Sequence, residues 1–263
     1  MSYWVLLAVS LLFSAVGFHM YIYFFSVGYG LAIAALGGAL AIGFRESIRP
    51  PELLMCLLLV VYGLRLSGYL VIREVRSAAY RKVLSPEMER SRKMSLLPKL
   101  AIWIGCALLY TLMTIPLYFR LQNGAAPDAM LWVGLVVMLC GILLEAAADL
   151  QKSAAKKKSP HAFVSTGLFR IVRCPNYLGE LILWLGMLLG GVTALRGPLQ
   201  WTAAIAGYAL IVYIMFSGAR RLELRQDRNY GQESAYQRYV KTVPILLPLV
   251  PVYSLKKHSW LAA

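Results

Sequence analysis

Seven long apolar stretches decide what this chain can fold into. They cover roughly residues 4–23, 27–44, 51–71, 100–119, 129–148, 176–195 and 199–219. About 20 mostly apolar residues are needed for a helix to cross the hydrocarbon core of a bilayer. In that core only helices or closed barrels satisfy their own backbone polar groups. A barrel would show segments of about ten residues with alternating character, and these runs are continuous. The pattern predicts an all-α, polytopic membrane bundle of seven transmembrane helices, a single integral membrane domain over 1–263. The first stretch reads as a span and not a cleaved signal, because it lacks a basic start and a second apolar run follows almost at once. Composition agrees. Hydrophobic residues make up 59% of the chain and charged residues 15%, against about 45–50% and about 25% in ordinary soluble domains.

The net charge of +15 first suggests nucleic acid, but its placement argues otherwise. The 73–99 loop holds eight Lys/Arg, the 149–175 loop six and the tail after the last stretch eight. The loops on the other side hold four: Arg45, Arg49, Arg120 and Arg196. Basic residues gather on the cytosolic side of membrane proteins, so the N-terminus is expected outside and the C-terminus in the cytosol. Part of the basic excess thus reads as topology and part as serving anionic lipid or a phosphorylated ligand, with no nucleic-acid partner. The 73–99 loop is too short for a folded domain but suits interfacial helices. Four cysteines without paired spacing are expected as free thiols, and three scattered histidines suggest no metal. The chain is expected as a monomer, in the cytoplasmic membrane of a prokaryote or the endoplasmic reticulum of a eukaryote.

Ionisable groups at membrane depth are expensive, so each is a site candidate. Arg65, Tyr69 and Arg73 recur at i, i+4 and i+8 and share one face of helix 3. Glu145 and Asp149 are i, i+4 at the cytosolic end of helix 5. Asn176 and Glu180 are i, i+4 at the start of helix 6. The competing readings are ordinary ones: Arg65 as bundle glue with Glu145, Arg73 snorkelling to the headgroups, and Tyr69 as an interfacial aromatic.

The segment Thr166-Gly167-Leu168-Phe169-Arg170-Ile171-Val172-Arg173-Cys174-Pro175-Asn176-Tyr177-Leu178-Gly179-Glu180 is the most informative. Pro175 stands where a helix would begin. The free N–H groups of a helix start attract anions, and Arg170 and Arg173 bring two guanidinium forks suited to phosphate. An amide and a carboxylate one turn apart can read a carboxamide or a pair of ribose hydroxyls. The tail interleaves Arg220, Arg221, Arg225 and Arg228 with Tyr230, Tyr236 and Tyr239. That pattern suits a nucleotide clamp or an interfacial helix.

These residues resemble the steroid 5α-reductase family, especially its bacterial members. The likeness runs from about residue 58 to 251. It rests on Gly167-Leu168-Phe169 with Asn176-Tyr177-Leu178-Gly179-Glu180, on Ala148-Asp149-Leu150-Gln151-Lys152, on Gly63-Leu64-Arg65-Leu66-Ser67-Gly68-Tyr69, and on Tyr236-Gln237-Arg238-Tyr239 followed by Pro248. The resemblance implies a seven-helix reductase that takes NADPH from the cytosol and a lipophilic substrate from the bilayer. It implies that Asp149, Asn176, Tyr177 and Glu180 hold the cofactor, with Arg65, Arg73, Lys156, Arg170, Arg173, Arg228, Tyr236 and Tyr239 around it. The 220–263 tail would complete that site. It matches Tyr69 to the catalytic tyrosine, which together with a glutamate of helix 2 polarises a 3-keto group of a 3-oxo-Δ4 steroid or related lipid. The only acid near that position is Glu46. The region is also distantly similar to isoprenylcysteine carboxyl methyltransferases, through Arg173-Cys174-Pro175-Asn176-Tyr177, Glu223, Tyr230-Gly231 and Tyr239. A lipid methyltransferase using S-adenosylmethionine is therefore the alternative. A non-enzymatic seven-helix transporter or receptor is the third reading.

Overall fold

The computed structural model describes residues 1–261, leaving aside the side chains of Ala78, Ala79 and Val83. No strand occurs among the described residues. The α-helices are α1 (Tyr3–Ser14), α2 (Val27–Gly43), α3 (Pro50–Arg76), α4 (Ala78–Lys93), α5 (Leu96–Gln122), α6 (Ala129–Lys158), α7 (Pro175–Val192), α8 (Gly197–Tyr230) and α9 (Ser234–Thr242). Four of them, α3, α5, α6 and α8, are long and apolar enough to cross a membrane, so the chain reads as an integral membrane protein. The apolar stretches Tyr3–Phe18 and Val27–Gly43 are shorter.

Local chemistry sets the helix starts. Pro50 opens α3, where its missing N–H costs nothing, and the Glu52 carboxylate accepts the Arg49 N–H at 2.9 Å. Asp128 caps α6 by accepting the Leu131 N–H at 2.9 Å. Pro175 opens α7, as the sequence suggested. The basic 73–99 loop does carry a helix, α4, whose first turn is capped by Ser77.

The first expected span is not one helix. Over 4–23 the chain forms α1 and then breaks into two 3-10 turns, Ala15–Phe18 and Tyr21–Phe25. Gly17 has no side chain, and the Phe24 ring occupies the space one would fill. The second turn is then tied down. Tyr23 donates to both oxygens of Glu74 (2.7 and 2.8 Å), Tyr21 donates to Glu87, and the Tyr21 N–H reaches Ser91 at 3.0 Å. Hydropathy alone reports the apolar run and not this reversal.

The chain divides into two compact units. The first comprises residues 1–135 and 187–207. In it α2 packs on α3 through small residues: a Cβ on Gly63 would lie 2.6 Å from the Ala34 amide nitrogen, and one on Gly37 would lie 2.7 Å from the Cys56 carbonyl. Lipid is as apolar as leucine, so close backbone approach drives such pairs. Ser67 adds a hydrogen bond to the Val27 carbonyl at 2.9 Å.

Near the start of α3, Arg120 is fully buried. Its guanidinium lies 2.8 Å from Asp128 and 3.7 Å from Glu52, and donates to Thr193 and to the carbonyls of Gly190 and Ala126. The sequence placed Arg120 in an external loop; the structure makes it a charged staple. Burial pushes the Asp128 carboxyl up, but hydrogen bonds from Thr193, Arg120 and the Leu131 N–H, with the Arg120 charge, take it down to about 2.

The second unit comprises residues 136–186 and 208–263. Its helices α6 and α7 run antiparallel and cross at Gly141 and Gly179, where a Cβ on Gly179 would sit 2.7 Å from the Glu145 amide nitrogen. The Tyr177 ring of α7 faces Gly218 of α8.

Two outcomes follow for the first unit. Gly63→Ala lowers the thermal midpoint in detergent, whereas Gly68→Ala, which meets open space, leaves it unchanged; equal midpoints would mean the α2–α3 contact is unimportant. The lowered Asp128 carboxyl contributes stability that is complete above the ordinary value of about 3.9. It is lost as pH falls towards about 2. Asp128→Asn therefore flattens the thermal midpoint over that acid range, and an unaltered acid profile contradicts this.

Candidate cofactor site

The start of α7 gathers the polar groups of the second unit. Glu145 lies against Gly179 at the α6–α7 crossing. Asp149 is one turn further along α6, and Asn176 nearly one turn back along α7, so in antiparallel helices both stand about 5 Å from the crossing at one level. Asp149 and Glu180 are each 8% exposed. The Asn176 carboxamide oxygen is buried and has no hydrogen-bond partner among the described residues. Ser217 of α8, 3% exposed, has a hydroxyl in the same condition. Buried polar atoms are nearly always satisfied, so an orphan asks for an explanation such as a missing ligand. The Asn176 oxygen is an acceptor, which a hydroxyl or a carboxamide N–H would satisfy.

The segment before α7 has a different job from the one expected. Arg173 is 3% exposed and pairs with buried Glu223 of α8 at 3.0 Å. The same nitrogen donates to the Tyr253 carbonyl. Glu223 spends its second oxygen on the Leu255 N–H at 2.8 Å. The backbone joins in: the Arg173 N–H donates to Pro244 O (2.9 Å) and the Cys174 N–H to Ile245 O (3.0 Å). Arg173 is thus the pin that fixes the tail to the entrance of α7, a role the phosphate-fork reading did not include. Its Nε and Nη1 remain without partners among the described residues. Burial pushes the neighbouring Cys174 thiol up to about 12, so it stays protonated and inert.

Three further expected phosphate contacts are committed elsewhere. Lys156 Nζ donates to Pro160 O (3.1 Å), Ala162 O (2.7 Å) and the Tyr230 hydroxyl (3.0 Å), which uses all three of its protons. Tyr236 donates to Asp227 at 2.9 Å and Tyr239 to the Phe169 carbonyl at 2.7 Å. Together with Tyr230 they surround Phe163, whose ring centroid lies 5.3–5.9 Å from theirs. These residues pack the tail against the 159–170 loop. Of the arginines expected around the cofactor in this unit, Arg170 and Arg228 are exposed, as are Arg221 and Arg225 of α8.

The other expected residues lie in the first unit. Tyr69 is half-buried on α3. The Arg73 guanidinium sits 5.3 Å from the Tyr69 ring and 4.0 Å from the Tyr80 ring, a cation–π clamp. Arg65 lies 5.9 Å from the Tyr62 ring. Glu46 is corrected outright. Its side chain is 88% exposed beside Arg45, in the turn before α3. Tyr69 lies 19 residues into α3, about 28 Å along the helix, so Glu46 cannot act beside it. α2 instead offers Tyr29, whose hydroxyl accepts from Tyr62 at 3.4 Å in the core.

The sequence reading assigned no structural role to Glu223, Asp227 or Phe163. The available signal was an acid at 223 in a helix otherwise lined with arginines.

Glu223→Gln leaves the Arg173 charge buried without its partner. Breaking such a pair typically costs about 3–5 kcal/mol. The variant unfolds at a clearly lower temperature, while Arg170→Ala matches the parent. A Glu223→Gln protein as stable as the parent would remove the pin from this account.

A family model described as a protein of unknown function (DUF1295) matches residues 22–243. No curated protein matches the chain. The family match covers well over half of the sequence, and the chain belongs to the DUF1295 family.

Proposed function

We propose that the chain is a membrane reductase that takes NADPH at the start of α7 and reduces a carbon–carbon double bond conjugated to a ketone in a lipophilic substrate. A 3-oxo-Δ4 steroid or a related lipid is the substrate class. The resemblance to the steroid 5α-reductases supports this reading. One observation carries it: the partnerless, buried Asn176 oxygen, set with the carboxylates of Asp149 and Glu180. A ribose hydroxyl or a nicotinamide carboxamide is the kind of donor the Asn176 oxygen lacks.

Asp149, Asn176 and Glu180 would hold the polar head of the cofactor, and Arg170 and Arg228 would meet its phosphates. NADPH, when bound, supplies the hydride. Addition to the β-carbon moves negative charge onto the carbonyl oxygen, and a proton at the α-carbon completes the reduction. Tyr69, by the same resemblance, donates a hydrogen bond to that oxygen. Removing one such donor typically lowers the rate ~10²–10³-fold.

A second reading has one observation in its favour. With Arg173 buried and its Nη2 held by Glu223, one of the two forks expected for phosphate is partly engaged. S-adenosylmethionine carries no phosphate, so a lipid methyltransferase fits that arrangement.

A thermal-shift comparison separates the readings, because a ligand stabilises only a state that binds it, by about 2.7 kcal/mol at a hundred times its Kd. NADPH raises the midpoint and S-adenosylmethionine does not. The opposite pattern establishes the methyltransferase, and no shift with either favours a transporter or receptor. Tyr69→Phe keeps the NADPH shift and loses most turnover of an enone substrate; full turnover would remove Tyr69 from the chemistry.

A further inference from the structure

The chain does not end loosely after α9. Residues 253–261 run back along α8 as a strap. The Leu255 N–H is held by Glu223 at 2.8 Å, and Lys256 pairs with Asp227. Arg220 donates to the carbonyls of Lys256 (3.4 Å) and Leu261 (3.1 Å). Tyr213 donates to the Trp260 carbonyl at 3.1 Å, and their rings stack with centroids 6.2 Å apart. Along the strap, Leu255 meets Glu223, Lys256 meets Asp227 and Arg220, Trp260 meets Tyr213, and Leu261 meets Arg220 again. From Glu223 to Tyr213 the strap reaches about 15 Å towards the apolar part of α8.

Its two faces differ. Leu255 and Leu261 are buried, at 3% and 1% exposure. Lys256, Lys257 and His258 are exposed near the arginines of α8. Trp260 is 66% exposed and lies by Tyr213, itself 39% exposed and one turn from Leu210 at 43%. That patch of α8 belongs to a helix apolar and long enough to cross a membrane. Tyr213 stands seven residues before Arg220, about 10 Å to the apolar side of the first arginine. Cations at headgroup level with an exposed tryptophan just below them is the arrangement of a membrane interface: amphipathic rings settle at the headgroup boundary, and anionic lipid attracts the lysines.

We propose that residues 253–261 form an interfacial anchor that docks on an anionic phospholipid surface, with Trp260 seated in the lipid and Lys256 and Lys257 among the headgroups. This gives the tail a partner separate from any cofactor. The charge of the strap complements anionic lipid, and its exposed ring continues the apolar surface of α8. The Arg173–Glu223 pin keeps the strap in place, because Leu255 hangs from Glu223 and the Tyr253 carbonyl from Arg173.

The full-length protein in vesicles of phosphatidylcholine and phosphatidylglycerol tests this. Five other tryptophans are present, so the Trp260 signal is taken as the difference between the parent and Trp260→Phe. That difference is expected to be quenched by lipids brominated near the top of the acyl chains, more than by lipids brominated near the chain ends, and to resist aqueous iodide. Quenching by iodide without quenching by brominated lipid overturns the anchor, as does quenching by neither. If Trp260→Phe does not fold, hydroxyl-radical footprinting of the parent gives the answer. Trp260 is expected to oxidise several-fold more slowly in these vesicles than in vesicles of phosphatidylcholine alone, where the lysines lack their attraction. Equal rates reject an anionic surface as the partner.

Discussion

Apolar burial, which drives soluble proteins to fold, gives two helices in hydrocarbon little reason to meet, because lipid is as apolar as their side chains. What remains is close backbone contact and the satisfaction of a few polar groups. Both are visible. The α2–α3 pair closes through Gly37 and Gly63, and the α6–α7 pair through Gly141 and Gly179. Gly179 belongs to the Asn-Tyr-Leu-Gly-Glu block, so one short motif supplies both the approach of two helices and the polar groups that the approach brings to one level.

Buried charge is met by opposite charge. Arg120 and Arg173 are almost wholly enclosed, each against a carboxylate and at least one backbone carbonyl. Neither is a surface cation. Arg120 ties residues around the start of α3 and α6 and the end of α7 within the first unit; Arg173 ties the tail to α7 within the second. The Asn176 oxygen and the Ser217 hydroxyl differ from these arginines in being uncharged groups with no partner among the described residues.

Much of this was legible in the sequence. The long apolar runs gave α3, α5, α6 and α8, and Pro175 marked the start of α7. The rest failed for physical reasons. The first span is broken by Gly17 and Phe24, a contact that hydropathy does not encode. Arg173 looked like a phosphate ligand because its partner Glu223 is 50 residues away. Lys156 looked free because two of its three acceptors are backbone carbonyls, which every residue carries. Glu46 is the acid nearest to α2 in the sequence, and helix length alone removes it. Spacing works for groups on one helix; it does not find partners that tertiary folding delivers.

The central claim is that the orphaned acceptor at Asn176 waits for a nucleotide cofactor. The most direct measurement is a fluorescence titration of NADPH into the purified protein and into Asn176→Ala, with thermal midpoints recorded for both. The account predicts saturable binding to the parent and binding at least tenfold weaker in the variant, at an unchanged midpoint. Equal affinity in the two proteins, or no binding to either, would contradict it.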